Sequence, residues 1–269
     1  MASSQDNLDY VDVARPGGGE SWRIARRLRP AAGEGVDRPG LVWLGGFNSD
    51  MQGTKASWLE AYARERGRAL LRFDYSGHGE SGGRFEDACI GDWLAQSVAL
   101  FEMSTRGPQI VVGTSMGAWI ALLLARRLFE KGASDRLKAL VLLAPATDFT
   151  QELMWKTLSD EARSAILEKG VWLRPSLYSP QPTPITRRLI EEGRAHLLLG
   201  GPIRTHAPVY ILQGLEDPDV PWTHALALLE SLVGDPASLS FVPGGDHRLS
   251  RAEDLAMLAA AIQQASNEA

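Results

Sequence analysis

The stretch Gln109–Gly117 reads QIVVGTSMG and runs directly into AWIALLLARRLF, residues 118–129. A short apolar run, a Gly-Thr-Ser-Met-Gly turn and a long apolar segment are the pattern of a strand that turns sharply into a helix. Gly113 and Gly117 remove Cβ atoms where strand and helix must crowd together, and the strained turn lifts the Ser115 hydroxyl clear of the sheet. The first amides of the helix carry partial positive charge toward the place where an oxyanion would form. Ser115 is therefore the candidate nucleophile.

The five-residue pattern does not suffice, because 27 glycines in 269 residues make a chance match easy, and Gly79-Glu80-Ser81-Gly82-Gly83 is a second one. Ser81 sits inside SGHGESGG, residues 76–83, with no strand ending just before it and no helix starting just after. It is expected to be a turn residue.

The elbow is one unit of a series. LVWLGG (41–46) precedes the helix-like KASWLEAYARERG, ALLRFDYSG (69–77) precedes GDWLAQSVALFEM, and ALVLLAPA (139–146) follows the elbow helix. Near-continuous apolar strands separated by helices predict an α/β fold, a mostly parallel sheet covered on both faces. Leu8–Val13 and Trp22–Leu28 alternate more strictly and predict an antiparallel hairpin at one edge. After Pro145 the alternation stops. Residues 148–204 hold two helical pieces, LMWKTLSDEARSAILEKG and TRRLIEEGRAHLLLG, around the proline-rich RPSLYSPQPTPIT. They read as a helical lid inserted over the strand ends, with residues 1–147 and 205–269 forming the core. The sheet resumes with APVYILQG (207–214) and ASLSFVPGG (237–245), and a last amphipathic helix runs from about Arg251 to Gln264.

Composition narrows the class. An apolar content of 44% with 23% charged residues is ordinary for a globular protein. A net charge of −5 leaves no basic stripe for nucleic acid; the run Arg23–Arg29 alternates with Trp22, Ile24 and Leu28 as one strand's solvated face. No stretch approaches the roughly 18 apolar residues of a membrane span. The single Cys89 excludes an internal disulfide and is expected to be a buried filler. The opening MASSQDNLDYVDV has acids and no apolar core, unlike a signal peptide. The expected location is the cytoplasm.

A serine hydroxyl needs a base, and the base needs an orienting acid. Of five histidines, His247 lies in PGGDHRLS, a flexible loop between the last strand and the last helix, and is the candidate base. His78, His196, His206 and His224 read as polar surface or capping residues. Asp217 in QGLEDPDVPW directly follows a strand and is the candidate acid. Asp219 and Asp148 are its rivals, and Asp246 is expected to shape the His247 loop. The order Ser115, Asp217, His247 is the hydrolase order. An anion hole would use the Met116 amide and, from the GGFN turn after LVWL, the Phe47 amide. Phe47, Met116, Trp155, Trp172, Leu173 and Trp222 are candidates for the substrate pocket. The chemistry requires no metal or organic cofactor, and no histidine–acid cluster has ligand spacing.

These motifs, GTSMG, EDPDVPW and GGDHRL, with RFDYSGHGES between the second and third parallel strands, resemble the α/β-hydrolase superfamily over essentially the whole chain. Within RFDYSGHGES, Asp74 is expected to be a turn former. GGFNSDMQGTKA, LRFDYSGHGES and GVWLRPSLYS resemble a narrower group of acyl-protein thioesterases and acyl-glucuronide esterases with bacterial relatives. The resemblance implies a serine esterase or thioesterase that cleaves a small-molecule or acylated substrate through an acyl-enzyme on Ser115. The rivals are a cofactor-free perhydrolase on the same triad and a ligand receptor that keeps the fold without turning over.

Overall fold

The computed structural model describes residues 7–175 and 181–267. In chain order the elements are β1 (Leu8–Val13), β2 (Trp22–Arg29), β3 (Gly40–Leu44), α1 (Thr54–Glu65), β4 (Leu70–Phe73), α2 (Ile90–Ser104), β5 (Gln109–Thr114) and α3 (Met116–Glu130). Then follow β6 (Leu137–Leu143), α4 (Asp160–Lys169), β7 (Val171–Arg174), β8 (Thr183–Thr186) and α5 (Arg187–Gly193). The chain closes with β9 (Val209–Gly214), α6 (Trp222–Ser231), β10 (Ala237–Val242) and α7 (Ala252–Asn267).

Eight strands form one sheet in the order β1-β2-β4-β3-β5-β6-β9-β10. The β1–β2 and β2–β4 pairs are antiparallel and the rest are parallel. The alternating early segments thus form the edge hairpin, and the apolar runs form the interior. Every residue of β3, β4 and β5 is buried, as a strand covered by helices on both faces requires. Behind β5, α3 buries Met116–Ala125 and Leu128, so nearly its whole circumference is core. Each fully buried leucine of that helix contributes about 1.5–3 kcal/mol over an exposed one. The strand order reverses at β3, β4 and β5, the switch point where α/β sheets hold ligands beyond their carboxyl ends. Ser115 stands there.

Between β6 and β9 the chain is not simply helical. A π-helical turn at Thr150–Met154 and one 3₁₀ turn at Trp155–Thr157 precede α4, and β7 pairs antiparallel with β8. The continuous helix expected across LMWKTLSDEARSAILEKG is split because Ser159 accepts a hydrogen bond from the Ala162 amide at 3.3 Å and starts a new helix. The helical insertion expected over residues 148–204 thus also carries a two-stranded sheet. RPSLYSPQPTPIT contributes β8 and the end of β7, and its residues 176–180 lie outside the described residues. Among the described residues, no helix is long and apolar enough to cross a membrane.

Candidate active site

Ser115 occupies the turn between β5 and α3 with φ 53° and ψ −118°, a region costing an L-residue about 1–3 kcal/mol. Packing holds it there. A Cβ on Gly117 would stand 2.1 Å from the Leu44 carbonyl oxygen, and one on Gly113 would stand 2.5 Å from the Gly117 carbonyl oxygen. Strand and helix can approach this closely only with glycine at both positions. The Ser115 amide donates to Leu143 at 2.9 Å, and its carbonyl accepts from Ala118 at 3.0 Å and Ala146 at 3.2 Å. The backbone is fixed on both sides, which leaves the hydroxyl outward.

His247 reaches Ser115 from the loop between β10 and α7. Its Nε2 lies 3.1 Å from Ser115 Oγ and its Nδ1 2.9 Å from Asp217 Oδ2. A carboxylate can only accept, so Nδ1 carries the proton and Nε2 is left to accept from the hydroxyl. Asp217 has a fully buried side chain. Its Oδ1 accepts from the Asp219 and Val220 amides, each at 2.8 Å, and Oδ2 also accepts from Gln213 Nε2 at 3.3 Å. The turn after Asp217 is thus folded around that one carboxylate. Asp246 Oδ1 accepts from the Arg248 and Leu249 amides, which shapes the His247 loop as expected.

The rival acid, Asp148, is elsewhere. Its buried carboxylate accepts from the Leu198 amide at 2.9 Å and the Leu199 amide at 2.7 Å, tying the end of the insertion to the core. Burial pushes its carboxyl up to about 6. The second serine of the G-x-S-x-G type, Ser81, donates to the Asp74 carbonyl at 2.7 Å and accepts from the Ala25 amide at 2.8 Å. Asp74 accepts from the Met51 and Glu80 amides, the turn-forming role expected of it. Cys89 is buried, which pushes its thiol up to about 12.

The amides of Met116 and Phe47 make no hydrogen bond to an acceptor among the described residues. Both residues line the same cavity as Ser115 and His247. A Cβ on Gly46 would stand 3.4 Å from Ser115 Cβ, so the GGFN turn abuts the elbow. The cavity, about 390 Å³, is lined by the apolar Phe47, Met116, Phe149, Leu153 and Met154 and by polar residues that include Asn48, Arg174, Asp219 and Arg248. The three tryptophans expected in it do not line it. Trp155 is half-buried beneath the guanidinium groups of Arg163 and Arg194. Trp172 packs against the core, and Trp222, 44% exposed, meets Phe241 edge to face. Leu173 is exposed and off the cavity as well.

Phe149, Leu153 and Met154 went unread because they sit on and beside a π-helical turn, whose spacing matches neither strand nor α-helix. Two supports of the site also lacked a signal. Gln213 hangs on a buried strand, and Lys55 Nζ donates to the Arg248 carbonyl from α1 across the molecule. Burial lowers that ammonium to about 8. The other histidines are less superficial than expected: His78 and His196 are buried, and His224 Nε2 donates to the Thr147 carbonyl. Asp217, Asp219 and His247 are the one His/Cys/Asp/Glu group among the described residues compact enough for an ion. Both nitrogens of the imidazole already have partners within the protein.

Residues 15–260 match the alpha/beta hydrolase family. The mitochondrial palmitoyl-protein thioesterase ABHD10 of Bos taurus is 34% identical over 223 residues, which cover 82% of this chain and 70% of the relative. The Homo sapiens protein of the same name is 33% identical over 221 residues, 82% of this chain and 70% of its own. A crystal structure from Agrobacterium vitis S4 superposes with a TM-score of 0.91 at 42% identity, covering 97% of this chain and 99% of that one. Alpha/beta hydrolase domain-containing protein 10 from mouse gives a TM-score of 0.81 at 28% identity over 96% and 97% of the two chains. Sheet, elbow and sequence agree: the chain belongs to the alpha/beta hydrolase family and is an ester or thioester hydrolase.

Proposed function

We propose that the chain is a serine hydrolase that cleaves acyl thioesters and related carboxylic esters through Ser115, His247 and Asp217. The observation that carries this is the unbroken chain from Ser115 Oγ to His247 Nε2 at 3.1 Å and from His247 Nδ1 to Asp217 Oδ2 at 2.9 Å. His247 takes the hydroxyl proton as Oγ attacks the carbonyl carbon, and buried Asp217 stabilises the imidazolium that forms. The Met116 and Phe47 amides receive the oxyanion. His247 then returns the proton to the departing thiol or alcohol, leaving an acyl group on Ser115. Water, deprotonated by the same imidazole, releases the acid and restores the enzyme.

The acyl chain lies against the apolar lining residues Phe47, Met116, Phe149, Leu153 and Met154, and the leaving group meets the polar ones, Asn48, Arg174 and Arg248. Residues 148–204 act as the lid, since Phe149, Leu153, Met154, Arg174 and Thr183 all line the cavity. Thioester cleavage is favoured by the likeness to the palmitoyl-protein thioesterases. The working location is the cytoplasm, on the grounds of a single cysteine that has no disulfide partner; fractionation of cells expressing the tagged chain tests it.

The deciding experiment is a panel of nitrophenyl esters and acyl thioesters of graded chain length, run on the protein and on Ser115→Ala. Multiple turnovers are expected from the former, with an acyl adduct trapped on Ser115 by acid quench and mass spectrometry. Retained turnover in Ser115→Ala, or an adduct on another residue, would overturn the proposal.

A further inference from the structure

The turn that carries the Phe47 amide is held by a second, buried loop. Gly46 and Phe47 share one peptide. The Gly46 carbonyl accepts from the Ser49 amide at 3.3 Å and from Ser49 Oγ at 2.8 Å. A trans peptide points its N–H opposite to its carbonyl, so these bonds turn the Phe47 N–H away from Ser49. The next peptide is fixed differently. Asn48 has φ 56°, an uncommon conformation for a residue with a side chain, and its amide donates to His78 Nε2 at 3.1 Å. Three residues further on, the Met51 amide donates to Asp74 Oδ1 at 2.7 Å. His78 and Asp74 belong to the same loop.

His78 is built to accept. Its ring is 4% exposed and stands edge-on to Tyr75, Phe85 and Trp93 at 5.7, 5.0 and 5.2 Å between centroids. Its Nδ1 faces the Ser76 carbonyl, which can only accept, so the proton sits on Nδ1 and the Nε2 lone pair is free for Asn48. Burial pushes the imidazole down to about 4, which keeps it neutral. Phe85 and Trp93 also pack the Phe47 ring, at 4.9 and 6.0 Å. The flanking glycines leave no slack, since a Cβ on Gly77 would stand 2.5 Å from Phe85 Cα and one on Gly79 2.1 Å from Asp74 Oδ2.

We propose that His78 is a positioning residue for the anion hole: by accepting from the Asn48 amide it holds the turn that aims the Phe47 N–H at a carbonyl oxygen bound over Ser115. The inference rests on the reading of Ser115 as nucleophile and adds a residue that touches no substrate. It separates two effects that a merely structural histidine would not separate. A misaimed donor weakens binding of the tetrahedral state and leaves ground-state binding alone.

The test compares the protein with His78→Leu and His78→Gln, using one nitrophenyl ester, an alkyl boronic acid as tetrahedral mimic, and thermal melting. His78→Leu is expected to lower kcat about 10–100-fold, less than outright loss of a donor, with KM within about twofold and boronate affinity weakened in parallel. His78→Gln, whose carbonyl can accept from Asn48, is expected to recover most of kcat. Unchanged kcat in His78→Leu, a loss seen in KM alone, unchanged boronate affinity, or equal loss in both variants would overturn the proposal. Should His78→Leu fail to fold, ¹⁵N spectra of the unmodified protein decide. A neutral ring with Nδ1 protonated and Nε2 coupled to the Asn48 amide supports it, and a proton on Nε2 at neutral pH overturns it. The spectra do not depend on Ser115, whereas retained turnover in Ser115→Ala would remove the nucleophile reading and leave the Asn48–His78 bond standing.

Discussion

Two segments of the chain satisfy G-x-S-x-G, around Ser81 and around Ser115, and the fold uses them in opposite ways. Exposure does not distinguish them, since both serines are half-buried. The difference lies in the backbone and in the hydroxyl's partners. Ser115 has positive φ, and among the described residues its hydroxyl's hydrogen-bond partner is the His247 imidazole. Ser81 adopts no such conformation, and its hydroxyl is spent twice on backbone, at Asp74 and Ala25. A serine at the end of a buried strand and the start of a buried helix is presented. A serine between glycines in a loop becomes mortar.

The largest effect that could break this contrast is on turnover. Ser115→Ala is expected to lower kcat at least ~10³-fold, with Ser81→Ala remaining within about threefold in a side-by-side ester assay. The same Ser81→Ala protein should lose about 1–3 kcal/mol of stability by denaturant melting, because the buried Ala25 amide is left without an acceptor. Equal kcat losses in the two variants would erase the distinction. Asp217→Asn should follow, with a kcat loss one or two powers of ten smaller than that of Ser115→Ala, since the amide can hold the wrong tautomer of His247. Its KM should stay near that of the unmodified enzyme.

The glycines sharpen the comparison on the stability side. Gly117→Ala forces a Cβ to 2.1 Å from the Leu44 carbonyl oxygen, whereas Gly83→Ala meets nothing nearer than 3.6 Å. The first is expected to cost about 3 kcal/mol and to disturb turnover. The second should cost about 1–2 kcal/mol, from its φ of +91° alone. Calorimetry of both variants checks the order. Similar losses would mean that strand and helix are not in fact pressed together at the elbow.

The smallest expected effect is on the pH dependence of stability. Folding holds His78 down at about 4 from an ordinary 6.5, so between those values the unfolded chain binds more protons and stability falls as pH is lowered. Asp148, raised to about 6 from 3.8, acts in the reverse sense over nearly the same window. The informative quantity is therefore the difference between the protein and His78→Gln. Urea midpoints from pH 7 to pH 4.5 should fall more steeply for the unmodified protein, by about 1–3 kcal/mol at the acid end. Parallel curves would mean that His78 is not held neutral.

The sequence made the elbow, the parallel strands and the order of Ser115, Asp217 and His247 legible because each rests on local constraints: apolar periodicity, glycine where backbones crowd, a turn chemistry around Asp217. Where local pattern ran out, expectation failed. Trp155, Trp172 and Trp222 look like pocket residues by composition, yet the cavity is walled by Phe149, Leu153 and Met154 on and beside a π-helical turn. The helix expected over residues 153–170 begins only at Asp160, because Ser159 caps a new helix there instead of continuing the helical spacing before it.

By itself, then, the chain determined which residues could carry acyl-transfer chemistry and on which kind of sheet, since strand period, turn residues and glycine placement are properties of short segments. Only the tertiary structure decided what surrounds them. The Asn48–His78 bond spans 30 residues and the Lys55–Arg248 bond 193. Contacts at such separation are set by how helices and loops pack over the sheet, where volume and hydrogen-bond satisfaction rule and no neighbour in sequence gives notice.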